Sequence, residues 1–126
     1  MTKIAHTSDK LPAPAGPYSQ VVEAGNLVFT AGFGPQNPTT GEVPDGVAAQ
    51  TEQVIRNVET ALAVVGLGLA DVVKTTVHLQ NLAEDFGAFN EVYGRLFPAP
   101  FPVRTTVGST LANILVEIDA VAVRPE

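Results

Sequence analysis

The sequence contains no cysteine. That removes disulfide staples, thiolate nucleophiles and sulfur-bound metals together, and leaves any chemistry to oxygen and nitrogen groups. Positive charge is also scarce: seven Lys and Arg stand against thirteen Asp and Glu, a net charge of -6. The seven are scattered singly as Lys3, Lys10, Arg56, Lys74, Arg95, Arg104 and Arg124. A chain of this balance repels phosphate backbones and anionic lipid, so neither nucleic acid nor a membrane is an expected partner. No apolar run approaches the length of a bilayer span, and the opening MTKIAHTSDKLPAPAG lacks the continuous apolar core of a secretion signal, which makes a cytoplasmic address the expectation. His6 and His78 have no carboxylate or second histidine at ligand spacing, so no metal site is expected. The glycines of AGFGP open no helix and lack a following GK[ST], and Ser8, Ser19 and Ser109 have no nucleophile-elbow context. Nothing asks for a cofactor.

What is present describes one α+β domain over residues 1–126, long enough for one real core and too short to divide. Ser19 to Gly32 reads as two strand-like runs around Gly25-Asn26, a pair suited to a tight hairpin turn. GPQNPTTGEVPDG then reads as a surface loop. From Val47 to Val65 the apolar residues Val54, Ile55, Val58 and Leu62 recur at helical spacing, with Gly66 placed for a left-handed terminus. Asp71–Gln80 alternates as a strand, with Lys74, Thr76, His78 and Gln80 on one side. A second helix is predicted over Glu84–Phe97, stopped by PAPFP, and two strands follow at 103–108 and 114–123. In the last strand Ile114, Val116 and Ile118 lie on one side while Leu115, Val121 and Val123 lie on the other. Two helices cover one face of a small sheet, so an apolar second face calls for another copy of the chain.

Four polar residues stand out against apolar surroundings: Arg104, Glu117, Asn90 and Tyr18. Arg104, inside PFPVRTTVG, presents a planar fork suited to a carboxylate. If a very short turn joined the last two strands, Arg104 and Glu117 would instead face each other as a structural ion pair, an alternative as plausible from spacing as a ligand site. Glu117 in a partly desolvated position would suit proton transfer, whereas its neighbour Asp119 reads as a solvated residue near a strand end. Asn90 and Tyr18 fit ligand contact and ordinary packing equally.

The segments GPYSQ at 16–20, AG at 31–32 before a loop ending TGE, NEVY at 90–93, PVRTTVG at 102–108 and VEIDAVA at 116–122 together resemble the RidA/YjgF family over essentially the whole chain. The resemblance implies a chorismate-mutase-like fold, a mixed sheet with two helices on one face, assembled as a homotrimer with ligand pockets between subunits. It implies hydrolysis of reactive enamine and imine acids such as 2-aminoacrylate to 2-keto acids and ammonia. By motif, Arg104 would clamp the substrate carboxylate and Glu117 would orient or activate water. Tyr18, Asn90 and the backbone around Gly32 and Thr106 would line the pocket. Two departures bear on pocket shape: a connection at 109–113 about two residues shorter than is usual for the family, and Phe33 where glutamine is frequent. The competing functions are a non-catalytic binder of small carboxylic acids and a ribonuclease or translation inhibitor, the latter disfavoured by the acidic balance.

Overall fold

The computed structural model describes residues 2–126. Its elements are β1 (Lys3–His6), β2 (Val21–Ala24), β3 (Leu27–Thr30), α1 (Val47–Val64), a 3-10 turn at Leu69–Asp71, β4 (Val72–Leu79), α2 (Leu82–Leu96), β5 (Val103–Gly108) and β6 (Val116–Val123). The strands form one mixed sheet in the order β1-β2-β3-β6-β4-β5, all antiparallel except β4 with β5. The expected mixed sheet with two helices is therefore present. β1 was not foreseen.

Alternation in the strands sorts residues onto two faces. Val28, Val77, Leu79, Val116, Ile118, Ala120 and Ala122 are buried and share one core with Val54, Ile55, Val58 and Leu62 of α1 and Phe89 and Tyr93 of α2. The opposite face carries no helix. Its side chains follow from the register: Val22, Phe29, Val121, Lys74 and Val103 lie in one row across the sheet, and Leu27 pairs with Val123 beside it. Leu27, Phe29, Val103 and Val107 are exposed on it. The apolar second face inferred from the last strand is real, but it is mixed: toward β4 and β5 it turns polar, through Thr76, Asp119, Thr105, His78 and Glu117.

Local chemistry accounts for the element ends. Gly25 and Asn26 form the two-residue turn between Ala24 and Leu27, with Gly25 taking the positive φ. Gly66, at φ 78°, ends α1, and the Leu67 N–H returns to the Leu62 carbonyl. Gln50 in the first turn of α1 is buried and donates to the Pro44 carbonyl while accepting the Leu115 N–H, tying the loop and the approach to β6 onto the helix. At the far edge Glu23 accepts from Arg124 at 2.6 Å and pairs with His6 at 2.7 Å, which joins β1, β2 and the residue after β6 through one carboxylate.

Candidate active site

β3 pairs regularly with β6 from Leu27↔Val123 to Phe29↔Val121, and pairing resumes as a single bridge between Phe33 and Ile118. Three residues on β3 thus oppose two on β6, a bulge that adds one residue and re-aims the chain. The Thr30 hydroxyl accepts the Ala120 N–H across this gap. Two consequences matter. Phe33 turns into the core, 5% exposed, so its side chain fills the interior and is not a wall of the concavity at Glu117. Gly32 is pressed onto Glu117: a Cβ there would stand 2.8 Å from Glu117 Oε2. Around them Tyr18, Ser19, Val22, Phe29, Thr30 and Ala31 complete a concavity of about 430 Å³ on the uncovered face. Tyr18 is exposed, and its hydroxyl accepts the Ala15 N–H, which steadies the ring over this hollow.

Arg104 lies elsewhere. β5 runs parallel to β4 with Arg104 beside Thr75, and the Thr75 hydroxyl is bonded to the Tyr93 hydroxyl at 2.7 Å, so Arg104 points to the helix side. Its guanidinium carbon is 4.7 Å from the ring centre of Tyr93, 5.3 Å from Phe89 and 5.8 Å from Phe86. Ring faces at these distances attract the cation. Among the described residues no carboxylate comes within ion-pairing distance of Arg104. Burial pushes the Tyr93 phenol up, opposed by its bond to Thr75 and by the nearby Arg104 charge. With Asn90, Gly94, Phe101 and Pro102, Arg104 and Tyr93 line a second concavity of about 400 Å³.

The two expected reacting residues are therefore in different hollows. Glu117 shares its hollow with Tyr18 and Gly32, while Arg104 shares its own with Asn90. Thr106 is half-buried on the Arg104 face and lines neither. The alternative in which Arg104 and Glu117 pair within one chain is wrong: β5 and β6 are not neighbours, β4 runs between them, and the two side chains leave opposite faces. Asp119 also departs from expectation. It lies in mid-strand, half-buried, and burial raises its pKa above the usual carboxylate range, opposed by the positive fields of His78 and Lys74. Sequence reasoning missed the aromatic platform that Phe86, Phe89 and Tyr93 of α2 form under Arg104. It also missed the bond of 2.6 Å between His78 Nδ1 and Ser109 Oγ. Among the described residues no group of His, Asp and Glu is gathered as a metal site, and no helix is long and apolar enough to cross a membrane.

Comparison with known proteins bears on this arrangement. The profile of the family described as "Endoribonuclease L-PSP" matches residues 8–124. A RutC family protein of Haemophilus influenzae is 45% identical, covering 98% of each chain. The 2-iminobutanoate/2-iminopropanoate deaminase of Escherichia coli is 42% identical over 93% of this chain and 94% of its own. The crystal structure of the Escherichia coli YjgF gene product superposes with a TM-score of 0.90 at 39% identity, covering 97% of this chain and 99% of that one. With the profile matched over residues 8–124 and a fold so closely shared, the chain belongs to the YjgF/RidA family, the family that the endoribonuclease L-PSP profile describes.

Proposed function

We propose that this protein is a cytoplasmic imine deaminase that hydrolyses 2-imino acids, and the enamines that tautomerise to them, to 2-keto acids and ammonia. The observation that carries the proposal is the Arg104 guanidinium, set over three aromatic rings in a hollow shared with Asn90, with no carboxylate in ion-pairing distance among the described residues. A guanidinium so placed can hold a carboxylate bidentately and so fix the orientation of the carbon next to it. Glu117 supplies the complementary group. Water adds to C2 of the iminium while Glu117 takes one of its protons. The resulting carbinolamine nitrogen gains that proton, the C–N bond breaks as Glu117 takes the hydroxyl proton and the carbonyl forms, and the departing ammonia carries that proton away as ammonium. The family relationship to a 2-iminobutanoate/2-iminopropanoate deaminase supports this chemistry.

Because Arg104 and Glu117 leave opposite faces of one sheet, the working site is assembled from two chains, the Arg104 hollow of one meeting the Glu117 hollow of the next. A cyclic homotrimer, closed over the exposed Leu27, Phe29, Val103 and Val107, gives three such sites. The family description names an endoribonuclease, but the net charge of -6 without a basic cluster disfavours RNA as substrate. Co-expression of Arg104→Ala and Glu117→Gln chains under separate tags tests the reading. Each homo-oligomer is expected to be inactive toward 2-iminobutyrate, whereas mixed trimers regain about a third of their sites, the one interface in each ring that pairs an intact arginine with an intact glutamate. Purified mixed oligomers without activity would refute the shared site. A wild-type protein that binds 2-ketobutyrate yet never accelerates imine loss would identify a carboxylic-acid binder.

A further inference from the structure

Gly94 stands in the last turn of α2 with no reason inside the chain to be glycine. Its backbone is ordinary, because among the described residues the glycines with positive φ are Gly25, Gly41, Gly46 and Gly66. Its surroundings are open: a Cβ there would meet none of the described atoms within 4 Å. Glycine is a poorer helix former than alanine, so the position weakens α2 without relieving any contact. Gly32 is the contrast, since a Cβ at that residue would press on Glu117. What Gly94 does border is the Arg104 hollow, one helical turn beyond Asn90. The space left by its missing side chain therefore belongs to the occupant of that hollow.

The rest of the lining says what kind of group fits there. Arg104 is the one charged residue bordering the hollow. From the segment after α2, Phe101 and Pro102 add an apolar wall, and Phe101 is left 58% exposed. A lone cation beside an uncovered aromatic ring suits an amphipathic ligand, with a carboxylate on the guanidinium and a hydrocarbon chain on the ring.

We propose that Gly94 and Phe101 determine which side chains the enzyme accepts, and that its substrates include 2-imino acids with long apolar side chains, such as the imine of leucine. This rests on the reading of Arg104 as the carboxylate clamp. With the carboxylate on Arg104, the carbon chain beyond C2 lies over the bare Cα of Gly94 and against the Phe101 ring. A methyl group added at position 94 takes the room that chain needs, and one methylene more or less in an apolar pocket changes selectivity by about tenfold or more. The single methyl group of 2-iminopropionate is too short to meet it.

The test compares kcat/KM for the imines of alanine and leucine, each generated in situ by an amino-acid oxidase and followed in competition with semicarbazide, in wild type, Gly94→Ala, Phe101→Ala and Gly87→Ala. Gly87, the other glycine inside α2, is equally open but lines neither hollow, so its variant is the control for helix propensity. Gly94→Ala is expected to lose about tenfold on the leucine imine and less than about twofold on the alanine imine. Phe101→Ala is expected to lose about tenfold on the leucine imine through KM, again sparing the alanine imine. Gly87→Ala should leave both rates unchanged, and both glycine variants should melt at or above the wild-type temperature. An unchanged ratio between the two substrates in Gly94→Ala and Phe101→Ala, with Arg104→Ala inactive, would overturn the side-chain site alone. So would a Gly94→Ala protein that melts below wild type and loses both substrates equally, which would put a partner chain over Gly94. A fully active Arg104→Ala would overturn the reading beneath the proposal.

Discussion

Arg104 and Glu117 stand on opposite faces of one sheet with β4 between them, so no rotamer of either brings them together within a chain. The guanidinium looks toward α2 and the carboxylate toward the uncovered face. Substitutions at the two positions should therefore act independently on folding and jointly on catalysis.

Arg104→Lys keeps a positive charge but loses the planar fork and most of the stacking on Phe86, Phe89 and Tyr93. The expected loss in kcat/KM is about a hundredfold, in line with about 2–3 kcal/mol for a charge-assisted bidentate contact. Steady-state rates across a substrate series check this, and a protein with lysine as active as wild type would show that the cation touches no substrate.

Gly32→Ala places a methyl group 2.8 Å from Glu117 Oε2, closer than the two can stand. The side chain of Glu117 yields more readily than the backbone, so its carboxylate is displaced into the hollow. Activity is expected to fall about tenfold while stability changes by less than about 1 kcal/mol. Comparing kcat with the melting temperature separates the two effects.

Tyr93→Phe removes the hydroxyl bonded to Thr75 and leaves the fully buried Thr75 hydroxyl without that partner. A cost of about 1–3 kcal/mol in unfolding free energy is expected. The aromatic ring under Arg104 is retained, so KM for the substrate should move little. Denaturant titration and kinetics on the same preparation measure both.

Asp119 gives a stability signature in pH. Burial raises its pKa in the folded protein, so the folded state holds the proton more tightly than the unfolded chain does. That contribution is complete below the unfolded value of about 4 and is lost as pH rises through the higher folded value. Asp119→Asn should remove this decline, raising the melting temperature at neutral pH relative to wild type and leaving the two proteins closer at pH 4. Parallel melting curves against pH would contradict this.

The helices and β4 were legible in the sequence because their signals are local. The stripe of Val54, Ile55, Val58 and Leu62 before Gly66, and the alternation through Val77 and Leu79, need no knowledge of distant residues. β1 was missed because KIAH is a short edge strand whose residues are mostly exposed, so burial wrote no pattern into it. The insertion of β4 between β5 and β6 is a long-range pairing with no local mark, and it alone decides how Arg104 stands to Glu117. The inward turn of Phe33 depends on a bulge that only the register reveals. Residue types thus singled out Arg104 and Glu117 as candidates, while their division between two hollows required the topology.

β5, which carries Arg104, is also the outer strand of the sheet. Pro98, Pro100 and Pro102 run directly into it, and none has an N–H to offer a neighbouring strand. The open edge is thereby cut to a short stretch, and a newly made chain has little template there for indiscriminate β-stacking with its siblings. The same prolines that halt α2 thus leave the edge of the sheet a poor seed for aggregation.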